Sequence, residues 1–152
     1  MPLLDLTFPE GTLSDDAKRE LPGKMAEALL RAERAPDTEF FRRISWTHLH
    51  ELSAGAQHTA DGPATEGQII VQATTPQGAL SDRRRAELVS DITDLVLEAT
   101  GWGDEDRLRI WVLCREIDEG SWGAGGGVIQ FEQLRAAAKA EKEQAGSAAA
   151  PA

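Results

Sequence analysis

Two segments of this chain set chemically capable side chains at alternating positions: Trp46, His48 and His50 in one, Arg109, Trp111, Leu113 and Arg115 in the other. Successive side chains of a strand point to opposite faces, so each set shares a face if these segments are strands. The opposite parity is apolar, with Ile110, Val112 and Cys114 in one segment and Ile44 leading into the other. That side should pack on the rest of the protein and leave the first face open. An arginine guanidinium grips a carboxylate through a two-pronged fork, so Arg109 and Arg115 are candidate ligands for an acidic small molecule, with Trp111 and His50 as further substrate contacts. His48 and His50 are spaced as a metal pair could be, but neither a cysteine nor a third ligand at suggestive spacing accompanies them, and no metal is expected. No cofactor is expected either. The run GAGGG at 123–127 does not follow a strand and open a helix in the order that cradles a dinucleotide phosphate. Cys114, on the apolar parity, reads as core and not as a nucleophile. Arg83, Arg84 and Arg85 read as a solvated or interface face.

The elements that must position these residues occur twice. Residues 3–32 laid over residues 70–99 coincide at ten of thirty positions, where ordinary composition gives roughly two. The offset is 67; the likeness resumes at 65, with Trp46 over Trp111 and Glu51 over Glu116. Each copy reads strand, turn, helix, strand. Leu3–Phe8 and Ile69–Thr75 are strands closed by Pro-x-Gly turns, Ser14 and Ser81 are N-cap candidates, and Gly101 is placed to end the second helix. Pro22 inside the first helix should kink or break it. Ile44–Leu52 and Arg109–Ile117 are the closing strands. Residues 53–67 read as a loop between the copies, and 120–127 as a glycine-rich turn before a short strand at Val128–Phe131. From Phe131 a helix decays into a tail, AGSAAAPA, expected to be disordered.

Two β-α-β units with right-handed crossovers give an α+β domain with one four-stranded sheet and both helices on one face. Nothing in the chain is left to cover the other face except a polar C-terminal segment, so another copy of the protein is the simplest cover. The chain has 152 residues and a formal charge of −10. Its length suits one domain, and its acidity argues against a nucleic-acid partner. A single cysteine and an N-terminus without a signal-peptide pattern point to the cytoplasm, and no segment reads as a membrane span.

These features together resemble the tautomerase superfamily, which includes 4-oxalocrotonate tautomerase, malonate semialdehyde decarboxylase and cis-3-chloroacrylic acid dehalogenase. The chain begins Met1-Pro2 with a strand directly after, Pro9-Glu10-Gly11 leads to a helix start, the β-α-β unit is duplicated, and Glu116-Ile117 runs into Gly120-Ser-Trp122-Gly123-Ala-Gly125-Gly126. That last stretch is similar to the family's glycine-rich hairpin, with Trp122 where the family has an aromatic lining the active site. The resemblance spans residues 2–131, divided as repeat one (2–52), linker (53–67) and repeat two (68–131), with 132–152 as C-terminal helix and tail.

The resemblance implies a homotrimer of fused-repeat subunits with sheets inward. It also implies removal of Met1, leaving the secondary amine of Pro2 as general base for keto-enol proton transfer on a small carbonyl or keto acid. A terminal amine ordinarily titrates near about 7.7–8.0, and an apolar pocket beside cations lowers it. The alternatives are a decarboxylase of a small keto or semialdehyde acid, or a non-catalytic trimeric homologue. Where diacid tautomerases carry arginines, this chain has Thr12 or Ala79 and Trp46 or Trp111. At the dehalogenases' arginine pair it has Pro76 and Ala79, and at their tyrosine and glutamate Leu113 and Ser121. Dehalogenation and hydration are therefore disfavoured.

Overall fold

A computed structural model describes residues 2–148. The first repeat comprises β1 (Leu3–Pro9), α1 (Asp15–Glu33), the short α2 (Glu39–Arg43) and β2 (Trp46–Leu52). A small hairpin, β3 (His58–Thr59) and β4 (Gly62–Pro63), follows. The second repeat has β5 (Ile69–Pro76), α3 (Asp82–Thr100), a 3-10 turn at Asp104–Arg109, β6 (Ile110–Ile117), the hairpin β7 (Gly123–Ala124) and β8 (Gly127–Val128), and the closing α4 (Phe131–Ala148). The main sheet runs β2-β1-β5-β6. Each repeat supplies a parallel pair, and β1 and β5 meet antiparallel at the centre.

The expected caps form. Ser14 and Ser81 accept backbone N–H bonds from Ala17 and Arg84 at 3.1 and 3.4 Å, and Gly101 ends α3 in the left-handed region at φ 70°. The helix stripes and one sheet face make a single core around Leu4, Leu6, Phe8, Met25, Val71 and Ile92. The other sheet face is open: Trp46, Trp111 and Leu113 stay 63, 50 and 44% exposed.

Several expectations need correction. α1 runs unbroken through Pro22. Leu21, Met25 and Leu29 are almost fully buried, and at about 1.5–3 kcal/mol each their burial outweighs the roughly 3 kcal/mol cost of an interior proline. The Thr47 hydroxyl also donates to the Pro22 carbonyl at 3.2 Å. The segment 53–67 is not a plain loop, because β3 and β4 stand at an offset of 65 from β7 and β8. The repeat therefore includes the hairpin. The closing strands begin later than expected, at Trp46 and Ile110, each after a short helical turn. The strand expected at Val128–Phe131 is only Gly127–Val128, and Phe131 already opens α4. Gly125 and Gly126 both adopt positive φ, 61 and 82°, as a two-residue hairpin turn of this type requires. The helix continues through 145–148, which were expected to be disordered, and 149–152 lie outside the described residues. Among the described residues no helix is long and apolar enough to cross a membrane.

Candidate active site

Pro2 is buried at the entry to β1, and its carbonyl accepts the Trp46 N–H at 3.2 Å. Two cavities meet on it. One, of about 430 Å³, is lined by Pro2, Leu3, Arg43, Ile44, Trp46, Trp122 and the β7 hairpin. The other, of about 690 Å³, is bounded by the end of α1 (Glu33, Arg34, Ala35), the turn after β5 (Pro76, Gly78, Ala79), Arg84 and one side of α4 from Phe131 to Glu143. Pro2 thus has an aromatic wall on one side and a charged one on the other.

The charged wall has an unusual member. Glu33 Oε1 is cut off from solvent and, among the described residues, has no hydrogen-bond partner. Burial pushes its carboxyl from 4.5 up to about 7, against the pull of the Arg84 guanidinium. It is a carboxyl able to exchange a proton near neutrality, on the wall of the same cavity as Pro2. Arg84 spans the two repeats, donating to Ser81 Oγ at 3.2 Å and to the Ala32 carbonyl at 2.9 Å. Arg34 caps α1 in the left-handed region at φ 58°, the one non-glycine residue there among those described.

A signal for these residues exists in the repeat. At the offset of 67, Pro2, Glu33 and Arg34 stand over Ile69, Thr100 and Gly101, and Arg84 stands over Ala17. The two copies diverge where the structure gathers one cavity. Glu33 and Arg34 were missed because each, taken alone, looks like an ordinary helix end, and Arg84 because it stands in a run of three arginines that reads as a solvated or interface face.

The other expected site residues divide by position. Trp122 lines a Pro2 cavity. Arg115 is on the open sheet face in the row Arg115-Thr74-Leu3-Trp46, beside the Pro2 end but two strands from β1. Trp111 and His50 lie in the far row, with Ile70 and Thr7; at about 3.3 Å per residue, His50 is roughly 13 Å along β2 from Trp46. Arg109 is not on a strand face. It ends the 3-10 turn, donates to the Gly67 carbonyl at 3.0 and 2.8 Å, pairs with Asp106 at 2.7 Å and covers the Trp102 ring at 4.0 Å. Its guanidinium is spent on joining the linker to the second repeat. Cys114 is half-buried, and burial pushes its thiol up, away from the reactive thiolate.

Architecture and pocket together define an α+β fold of two fused β-α-β repeats with a buried proline at the head of its first strand. Residues 69–132 match the family model Tautomerase, described as tautomerase enzyme. Solved structures with the same fold include Pt0534 inactivated by 2-oxo-3-pentynoate, 20% identical over 87% of this chain and 98% of that one at a TM-score of 0.70. A fused 4-OT wild-type symmetric trimer is 20% identical over 84% of this chain and 94% of that one, at 0.68. N1, a member of the cis-3-chloroacrylic acid dehalogenase family, is 17% identical over 88% of this chain and 90% of that one, at 0.70. No curated protein matches by sequence. The resemblance to the tautomerase superfamily thus holds by sequence in the second repeat and by fold across the chain.

Proposed function

We propose that this protein is a cytoplasmic, homotrimeric tautomerase-like enzyme. After removal of Met1, the Pro2 amine abstracts a proton alpha to the carbonyl of a small keto acid and returns it at the conjugate position. The observation that carries this reading is the burial of Pro2 where an aromatic and a cationic cavity meet. Cations disfavour the ammonium form of the amine, and they also suit the charge that develops on an enolate oxygen. Arg84 and Arg34, which line the charged cavity, would take that role and meet a substrate carboxylate, while Trp122 and Trp46 provide the apolar side. The open sheet face, with its exposed tryptophans, supports the trimer, as does the trimeric assembly of the fused 4-OT structure.

The test uses the acetylenic keto acid that inactivates Pt0534. An uncharged amine adds across its conjugated triple bond, so intact-mass and peptide analysis after treatment should show one adduct, on Pro2, in a chain lacking Met1. A retained Met1, or labelling elsewhere, overturns the assignment.

Arg34 offers a separable check. A side chain in the left-handed region costs about 1–2 kcal/mol, and the second repeat places glycine there. Arg34→Gly should therefore gain about 1 kcal/mol in urea unfolding. It should also lose at least about tenfold in kcat/KM for an acidic substrate, the scale of one charged hydrogen bond. Greater stability with unchanged kinetics would remove Arg34 from the substrate's path.

A further inference from the structure

The geometry points to a divalent transition-metal site on the open sheet face, formed by Asp5, His48 and His50, apart from the Pro2 cavities. The sequence shows the two histidines but not their third partner, because Asp5 lies 43 positions before His48 in the chain. Strand register supplies it: β1 and β2 are parallel, with Asp5 opposite His48 and Thr7 opposite His50. Asp5 is thereby flanked by both imidazoles.

The donor atoms converge. Asp5 Oδ1 is 2.8 Å from His50 Nε2 and 3.3 Å from His48 Nδ1, and all three donors lie within 4.8 Å of one another. Ligands about 2.0–2.2 Å from a tetrahedral ion are roughly 3.3 Å apart, so small side-chain rotations would seat one. Two imidazoles and a carboxylate are a donor set that zinc and its divalent neighbours accept. Both histidines are half exposed in the single chain, so one subunit leaves a coordination position that water, or a group of a neighbouring subunit in the proposed trimer, would take. The two rings now direct nitrogens at a single carboxylate oxygen. A bound cation would replace these two contacts with bonds from the same three donor atoms to the metal.

Untagged full-length protein titrated with Zn²⁺ by calorimetry should bind one ion per chain. Co²⁺ should give the visible absorption of a low-coordinate site, which Zn²⁺ then bleaches. Asp5→Asn and His48→Ala should each weaken Zn²⁺ binding at least about 100-fold, since even groups that merely orient ligands contribute 10–100-fold. His58→Ala, which changes the one remaining histidine, should leave affinity unchanged. The cobalt spectrum of the wild type reads the site independently of whether a variant folds. Unsaturable binding, one ion per three chains, or Zn²⁺ affinity that survives His48→Ala would overturn the proposal.

Discussion

Pro2→Ala is expected to lower kcat/KM roughly 100-fold on the enol forms of phenylpyruvate or 2-hydroxymuconate, the lower end of what a positioned general base contributes. Alanine also permits loss of Met1, so an amine survives at the chain end. It is a primary amine, no longer held by a ring, and the loss measures positioning. That factor corresponds to about 2.7 kcal/mol of transition-state stabilisation. Pro2→Leu should go further, to about 10⁴-fold, because a bulky second residue retains Met1 and the pocket then holds an amide. Steady-state kinetics beside intact mass separates the two effects. Turnover in Pro2→Leu equal to wild type would exclude the amine from the chemistry, and no turnover in any form would favour a binding role for the fold.

The contrast between readable and hidden features follows from what periodicity encodes. Alternation over Arg109–Ile117 assigned the covered parity to Ile110, Val112 and Cys114 and the open parity to Arg109, Trp111, Leu113 and Arg115. Ile110 is buried, Val112 and Cys114 are half-buried and Trp111, Leu113 and Arg115 exposed, while Arg109 ends the turn before the strand. Parity fixes a face, however, and not an end of the sheet. The antiparallel β1–β5 pair sets the Pro2 end of β1 against the C-terminal end of β5, so Pro76, Ala79 and Arg84 line one cavity with Pro2 while Trp111 and His50 fall in the far row. Caps were legible because Ser14, Ser81 and Gly101 act locally. The β3–β4 hairpin was not, since two-residue strands such as His58–Thr59 carry no alternation to detect. Pro22 misled for the opposite reason: a local breaker was overruled by tertiary burial of Leu21 and Met25.

Glu33→Gln should separate from wild type only where ionisation matters, and the direction of the shift fixes how. The native carboxyl titrates near about 7 against an ordinary 4.5. Below 4.5 the residue is neutral in both folded and unfolded chains, and the acid's contribution to stability is fully present. As pH rises towards about 7 the unfolded chain releases a proton that the native state retains, so wild type loses stability that the amide keeps. Above about 7 the gap levels off at roughly 3 kcal/mol in favour of Glu33→Gln. Urea unfolding of both proteins at about pH 4 and about pH 8 reads this directly, and curves that stay parallel would show that Glu33 ionises freely in the native protein. The same substitution carries a kinetic sign. An ionised Glu33 favours the ammonium form of the nearby amine, and removing that charge makes the amine easier to deprotonate. The acidic limb of the kcat/KM profile should therefore move to lower pH in Glu33→Gln, a shift that a carboxyl serving only to fill space beside Arg84 would not produce.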